Sequence, residues 1–130
     1  MPSVFSRIIS GELPGQIVWQ DDKAVAFLDL HPINPGHLLI VPRVEVPHIW
    51  DLPVVLYHHL WDVAHRLSGV LKKVTGAPRI AVAVEGFTVQ HAHIHLVPSF
   101  KVNDLNPMRA KSAMPAELEA MKAKILAAMK

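Results

Sequence analysis

The chain has 130 residues, a formal net charge of +2, and a composition 51% hydrophobic and 18% charged. That length holds one domain, and that balance excludes a disordered or solvating chain. The longest apolar runs, such as 38–41 and 125–129, are too short to cross a bilayer, and zero Cys excludes a disulfide scaffold, a thiol nucleophile and any thiolate metal site.

The first eleven residues carry one Arg and no long apolar stretch, so no secretory leader is expected and a cytoplasmic location is. Val4, Phe5, Ile8 and Ile9 fall at helical spacing between Ser3 and Gly11, which predicts a short opening helix. Pro14-Gly15 predicts a turn, 16–19 a strand, Asp21-Asp22 a second turn and 24–29 a second strand. HPINPGH (31–37) reads as a loop, and LLIV (38–41) as a buried strand that Pro42 ends. Asp51 and Pro53 open one long helix, whose Leu56, Leu60, Val63, Leu67, Leu71 and Val74 recur every three or four residues until Gly76. Its other face carries His58, His65, Lys72 and Lys73, and His48, His58, His59 and His65 on or near it are expected to face solvent. Residues 79–84 alternate poorly, as a strand covered on both faces would, and Thr88 to Val97 predicts a last strand stopped by Pro98. Residues 99–114 look irregular, and Pro115 starts a terminal helix running through Met129.

The order predicts an α+β fold: a mostly antiparallel sheet of about five strands, one long central helix and short terminal helices. Residues 1–100 are expected to form the domain, with 101–130 an extension ending in a helix packed on it, beside the mouth of the site, where it would help to choose the leaving group. That extension holds six Lys/Arg against three acids. It lacks the interleaved aromatics of a nucleic-acid surface, so a solvated helix face is expected, with neither nucleic acid nor membrane as partner.

Nine His is the unusual number, and three of them lie within GFTVQHAHIHLVP (86–98). On a strand His91, His93 and His95 would project to one side at about 6.5–7 Å spacing, with Ala92, Ile94 and Leu96 facing a core. Three adjacent imidazoles repel one another's protons, so at least one should be neutral near pH 7 and able to act as nucleophile or base. A chance His-rich surface strand explains strict alternation poorly. A strand-borne metal site using His91, His93 and His37 is a second reading. Nucleophilic attack on phosphorus by the central His is a third.

HAHIHLVP resembles the His-φ-His-φ-His-φ-φ signature of the histidine triad (HIT) superfamily of nucleotide hydrolases and transferases. FSRIISGELPGQIVWQDDKAVAFLDLHPINPGHLLIVPR (5–43) resembles that family's amino-terminal block. The resemblance spans about residues 4–100 and is closest to small bacterial Hint-like HIT proteins. It implies the HIT fold, with His93 as a nucleophile that attacks the α-phosphorus and forms a nucleotidyl-histidine. It implies that His91 and His95 flank that nucleophile, and that His37 packs behind. Asp29 would take the ribose hydroxyls, Leu30, Phe5, Phe27 and Val4 would surround the base, and Gly86 and Thr88 would lie along the phosphate loop.

The resemblance therefore implies an enzyme cleaving a nucleoside monophosphate, AMP above all, from a small leaving group such as an amine. Diadenosine polyphosphate hydrolysis and non-catalytic nucleotide binding are its alternatives. No Walker loop or acid cluster suggests Mg²⁺, so no cofactor and no metal is expected. A homodimer through the long helix and an edge strand is implied, with Trp50, Trp61 and Tyr57 as candidate contacts. Three positions depart from the family pattern. Gly86-Phe87-Thr88 stands where many relatives have Gly-Gln-Ser/Thr, Val84 stands where many have Asn, and the Cys-x-x-Cys of zinc-holding members is missing around Phe5-Ser6-Arg7.

Overall fold

The computed structural model describes residues 2–130. Helix α1 (Val4–Ile9) is capped by Ser3, whose Oγ accepts the Ser6 N–H at 3.0 Å. Strands β1 (Ile17–Gln20), β2 (Ala24–Leu28) and β3 (Leu38–Pro42) form an antiparallel meander. Helix α2 (Val54–Thr75) then crosses to β4 (Arg79–Ala83), β5 (Ile94–Ser99) returns, and α3 (Pro115–Ala128) closes the chain. The sheet order is β1-β2-β3-β5-β4, with every pair antiparallel. No helix of the described residues is long and apolar enough to cross a membrane.

The two faces of the sheet are divided by strand alternation. Ala24, Ala26, Leu28, Leu38, Ile40, Ile94 and Leu96 face α2 and α3, where Leu60, Leu67 and Leu71 complete the main core. Leu118 and Ile125 of α3 belong to that same core, so the terminal helix packs on the domain. Val25, Phe27, Leu39 and Val41 point the other way and are covered by Phe5 and Ile8 of α1. The α2 stripe ends as its pattern predicts, with Gly76 left-handed at φ +72° and its N–H on the Lys72 carbonyl.

Three expectations need correction. The last strand starts at Ile94 rather than Thr88 and runs through Pro98 to Ser99, so His91 and His93 precede it. Continuing the β3–β5 register would set Pro42 opposite Ala92. Pro42 has no N–H for a ladder, and its carbonyl is taken by the His91 ring at 2.8 Å. Ala92 N–H turns instead to the Val46 carbonyl at 2.7 Å. Second, β4 is an edge strand with Val82 45% exposed, so its apolar character is not cover on both faces. Third, His59 is not a plain solvent-facing residue, because its Nε2 meets Asp21 Oδ2 at 2.7 Å. Of the aromatics near α2, Trp50 is exposed, while Tyr57 and Trp61 are partly buried against the main core.

Candidate active site

A cleft of about 670 Å³ opens on the α1 face of the sheet. Val4, Phe5, Phe27, Asp29, Leu30, His37, Gly86, Thr88, His93 and His95 all line it. His91 does not; it is fully buried. Each element delivers its part for a local reason. Phe27 alternates onto this face of β2, Asp29 follows directly as that strand ends, and His95 lies opposite Leu39 in the β3–β5 ladder. Gly36, at φ +92°, carries the chain into β3 and sets His37 under the cleft.

The four imidazoles are locked by partners that differ at each nitrogen, and the ring protons are assigned from those partners. Ile33 N–H donates to His37 Nδ1 at 3.0 Å, so the His37 proton sits on Nε2. That Nε2–H donates to His95 Nδ1 at 2.9 Å, with Asp29 Oδ2 3.5 Å away. The remaining ring proton of His95 is therefore on Nε2, free to donate. His93 Nδ1–H donates to the His91 carbonyl at 2.7 Å, which leaves its Nε2 lone pair unspent. His91 Nε2–H donates to the Pro42 carbonyl, so its Nδ1 accepts the Ser3 hydroxyl at 2.6 Å. Each ring is held in the neutral form, with only His93 Nε2 and His95 Nε2–H left without a partner.

Electrostatics agree with that assignment. Burial pushes His37 down to about 4, with the neighbouring His93 adding to the effect. Burial, then repulsion from His93 and His37, takes His95 to about 4 as well. His91 and His93 are also held below the usual imidazole value, chiefly by burial. Desolvation, rather than the mutual repulsion expected from three adjacent imidazoles, is the larger cause. Packing fixes the rings: His93 and His95 centroids lie 4.8 Å apart, and Phe5 meets His93 edge-on at 4.8 Å.

Asp29, His37 and His95 each bring one possible ligand atom within 4.8 Å of the other two, the one such cluster among the described residues. The set expected from sequence, His91 with His93 and His37, is not a cluster of this kind. A cation held at His37 Nε2 would need a ring lone pair there. A neutral imidazole has one lone pair, and Ile33 N–H already occupies it at Nδ1. The donor set therefore fits a proton relay better than a metal.

The tail lies beside the mouth of the site, as expected of it as a whole, through residues that the sequence does not single out. Leu105, Pro107 and Ala110 of the carboxy-terminal segment form part of the cleft wall, and Glu85 lies at its edge. That segment is tied to the 30–34 loop. Ala113 N–H reaches the Leu30 carbonyl at 3.1 Å, and Arg109 donates to Asn34 Oδ1 at 3.0 Å. An irregular stretch with Pro and Asn gives no periodicity from which this could be read.

The family model of the HIT domain matches residues 10–102. An uncharacterized HIT-like protein of Saccharolobus solfataricus is 33% identical over 102 residues, 75% of this chain and 73% of its own length. A purine nucleoside phosphoramidase of Escherichia coli is 30% identical over 128 residues, 86% of this chain and 97% of its own. A crystal structure of a HIT-like protein from Bartonella henselae superposes with a TM-score of 0.86 at 27% identity, covering 97% of this chain and 95% of that one.

Proposed function

The chain belongs to the HIT domain family, and on that premise we propose that it is a nucleotide hydrolase acting on phosphoramidates of AMP through a covalent histidine intermediate. The observation that carries this reading is the unspent Nε2 lone pair of His93 in a residue that lines the cleft, its Nδ1–H fixed to a backbone carbonyl. The similarity to a purine nucleoside phosphoramidase supports the choice of substrate class.

In this mechanism the purine lies among Val4, Phe5, Phe27 and Leu30, and Asp29 accepts the ribose hydroxyls. The α-phosphate meets His93, Gly86 and Thr88. His93 Nε2 attacks phosphorus as the bond to the amine breaks, and the leaving nitrogen takes up a proton. His95 Nε2–H and the Thr88 hydroxyl are the donors available to the phosphate oxygens and the leaving group. Water then attacks the phosphorus, the bond to His93 breaks, the proton that water loses restores the group that protonated the amine, AMP leaves, and the His93 ring returns to its neutral form. His37 keeps His95 Nδ1 occupied as an acceptor, so its outward nitrogen remains a donor. No step calls on a metal or cofactor.

The test is incubation with an adenosine 5′-phosphoramidate, following released AMP and, by mass spectrometry after acid-free quenching, adenylate on the protein. The parent chain should turn over, and His93→Ala should lose at least about 10³-fold in kcat while still binding AMP. Normal turnover by His93→Ala would remove the nucleophile assignment. Two copies are proposed to pair along the unpaired edge of β4 and the start of α2, where Val82, Val54, Val55 and Trp50 are exposed. Light scattering giving the mass of a single chain would exclude that pairing.

A further inference from the structure

Behind His91, away from the cleft, three polar residues converge that the reaction above leaves unused. Ser3 is the cap of α1, Ser6 lies one turn on, and Glu45 follows β3. The Ser6 hydroxyl donates to Glu45 Oε1 at 2.8 Å, and the same oxygen takes the Ser3 backbone N–H. With those donors spent on the carboxylate, the Ser3 hydroxyl proton is left for His91 Nδ1 at 2.6 Å. Ser6 Oγ stands 3.4 Å from that nitrogen, and Glu45 Oε1 stands 3.9 Å from it. The other end of the His91 ring is pinned to the Pro42 carbonyl.

Fixing both nitrogens of His91 has a consequence one residue pair further on. Its backbone carbonyl is the acceptor that holds His93 Nδ1–H. The ladder that would otherwise steady this backbone stops at Ile94, leaving the Ala92 N–H bond to Val46 as its main-chain support. Side-chain anchoring of His91 therefore supplies what the missing strand pairing does not. We propose that Ser3, Ser6 and Glu45 are positioning residues that set the ring orientation of His93 by anchoring His91. The inference rests on the reading of His93 as nucleophile, and it goes beyond that reading in assigning a duty to the first turn of α1.

Ser3 also caps α1, so a variant is needed that separates capping from anchoring. Gly is nearly as good a helix cap as Ser but has no hydroxyl, and Thr keeps both. Ser3→Gly should retain the parental melting temperature within a few degrees and the parental KM. Its kcat for the AMP amidate should fall about tenfold or more, as expected when a reacting ring is misplaced by a fraction of an ångström. Ser3→Thr should restore most of that loss, and Glu45→Gln should reproduce part of it. Imidazole ¹⁵N shifts provide a readout independent of turnover. In the parent, His93 should show the Nδ1–H form and His91 the Nε2–H form, and Ser3→Gly should give mixed tautomers at both. Parental ¹⁵N shifts together with parental kcat in Ser3→Gly would overturn the proposal. If the parent itself does not turn over amidates, parental shifts in Ser3→Gly alone overturn it. In that case the missing turnover counts against the hydrolase reading only.

Discussion

Asp29 has two carboxylate oxygens with different engagements. Oδ1 accepts the His31 N–H at 2.9 Å, while Oδ2 lies 3.5 Å from His37 Nε2 and its side chain is one-fifth exposed to the cleft. A carboxylate so placed has lone pairs left for two ribose hydroxyls, and hydrogen bonds to a charged acceptor are worth about 1.5–3 kcal/mol. Asp29→Ala should accordingly raise KM about 10- to 100-fold and change kcat much less, because in the proposed binding mode the residue grips the part of the substrate that does not react. Steady-state kinetics on the amidate decides it, and an unchanged KM would remove the ribose assignment. The same pair of numbers also distinguishes Asp29 from His93, whose loss belongs in kcat.

Secondary elements place these groups through backbone geometry that tolerates little. Gly36 enters β3 at φ +92°, and an added Cβ would sit 3.0 Å from Thr75 Cγ2 and 3.1 Å from Pro98 Cγ. Gly36→Ala should cost about 1–2 kcal/mol from the left-handed backbone alone, more if α2 and β5 must part. Urea unfolding should show a lower midpoint with an unchanged slope; a parental midpoint would mean the loop relaxes freely. The elements themselves were legible where side-chain periodicity meets a packed face, as in α2, β2 and β3. The start of β5 was not, because alternation of His91, His93 and His95 reports only an extended chain. Whether a partner strand can bond there depends on Pro42, some fifty positions away. The exposed edge of β4 was hidden for a related reason: an apolar run looks the same whether its own chain or another covers it.

Across the whole molecule, burial of four neutral imidazoles links stability to acidity. His37 and His95 titrate near 6.5 when unfolded and about 4 when folded. Between those values the unfolded chain binds protons that the folded one refuses, so stability is full above about pH 6.5 and falls toward pH 4. Melting temperatures measured across that range should decline with acid, and His37→Gln should make the decline shallower. A melting temperature independent of pH from 6.5 to 4 would contradict the buried neutral assignment. That His93 and His95 belong to one cleft was readable from sequence because the spacing is so particular. The particular residues by which the tail reaches the cleft were not, since they depend on single contacts such as Arg109 with Asn34. Leu118 and Ile125 in the main core also mean that removing the extension would strip the fold as well as the cleft wall.

The joint between α1 and His91 is closed by protons. Ser3 and Ser6, with two residues between them, have the spacing of a Cys-x-x-Cys, with hydroxyls in place of thiols and a carboxylate beside them. A joint of this kind forms as soon as the backbone arrives, without waiting for an ion to be delivered. It offers a thiol oxidant nothing to oxidise and a chelator nothing to remove. The same ring geometry can thus be assembled where metal is scarce or oxidants are abundant.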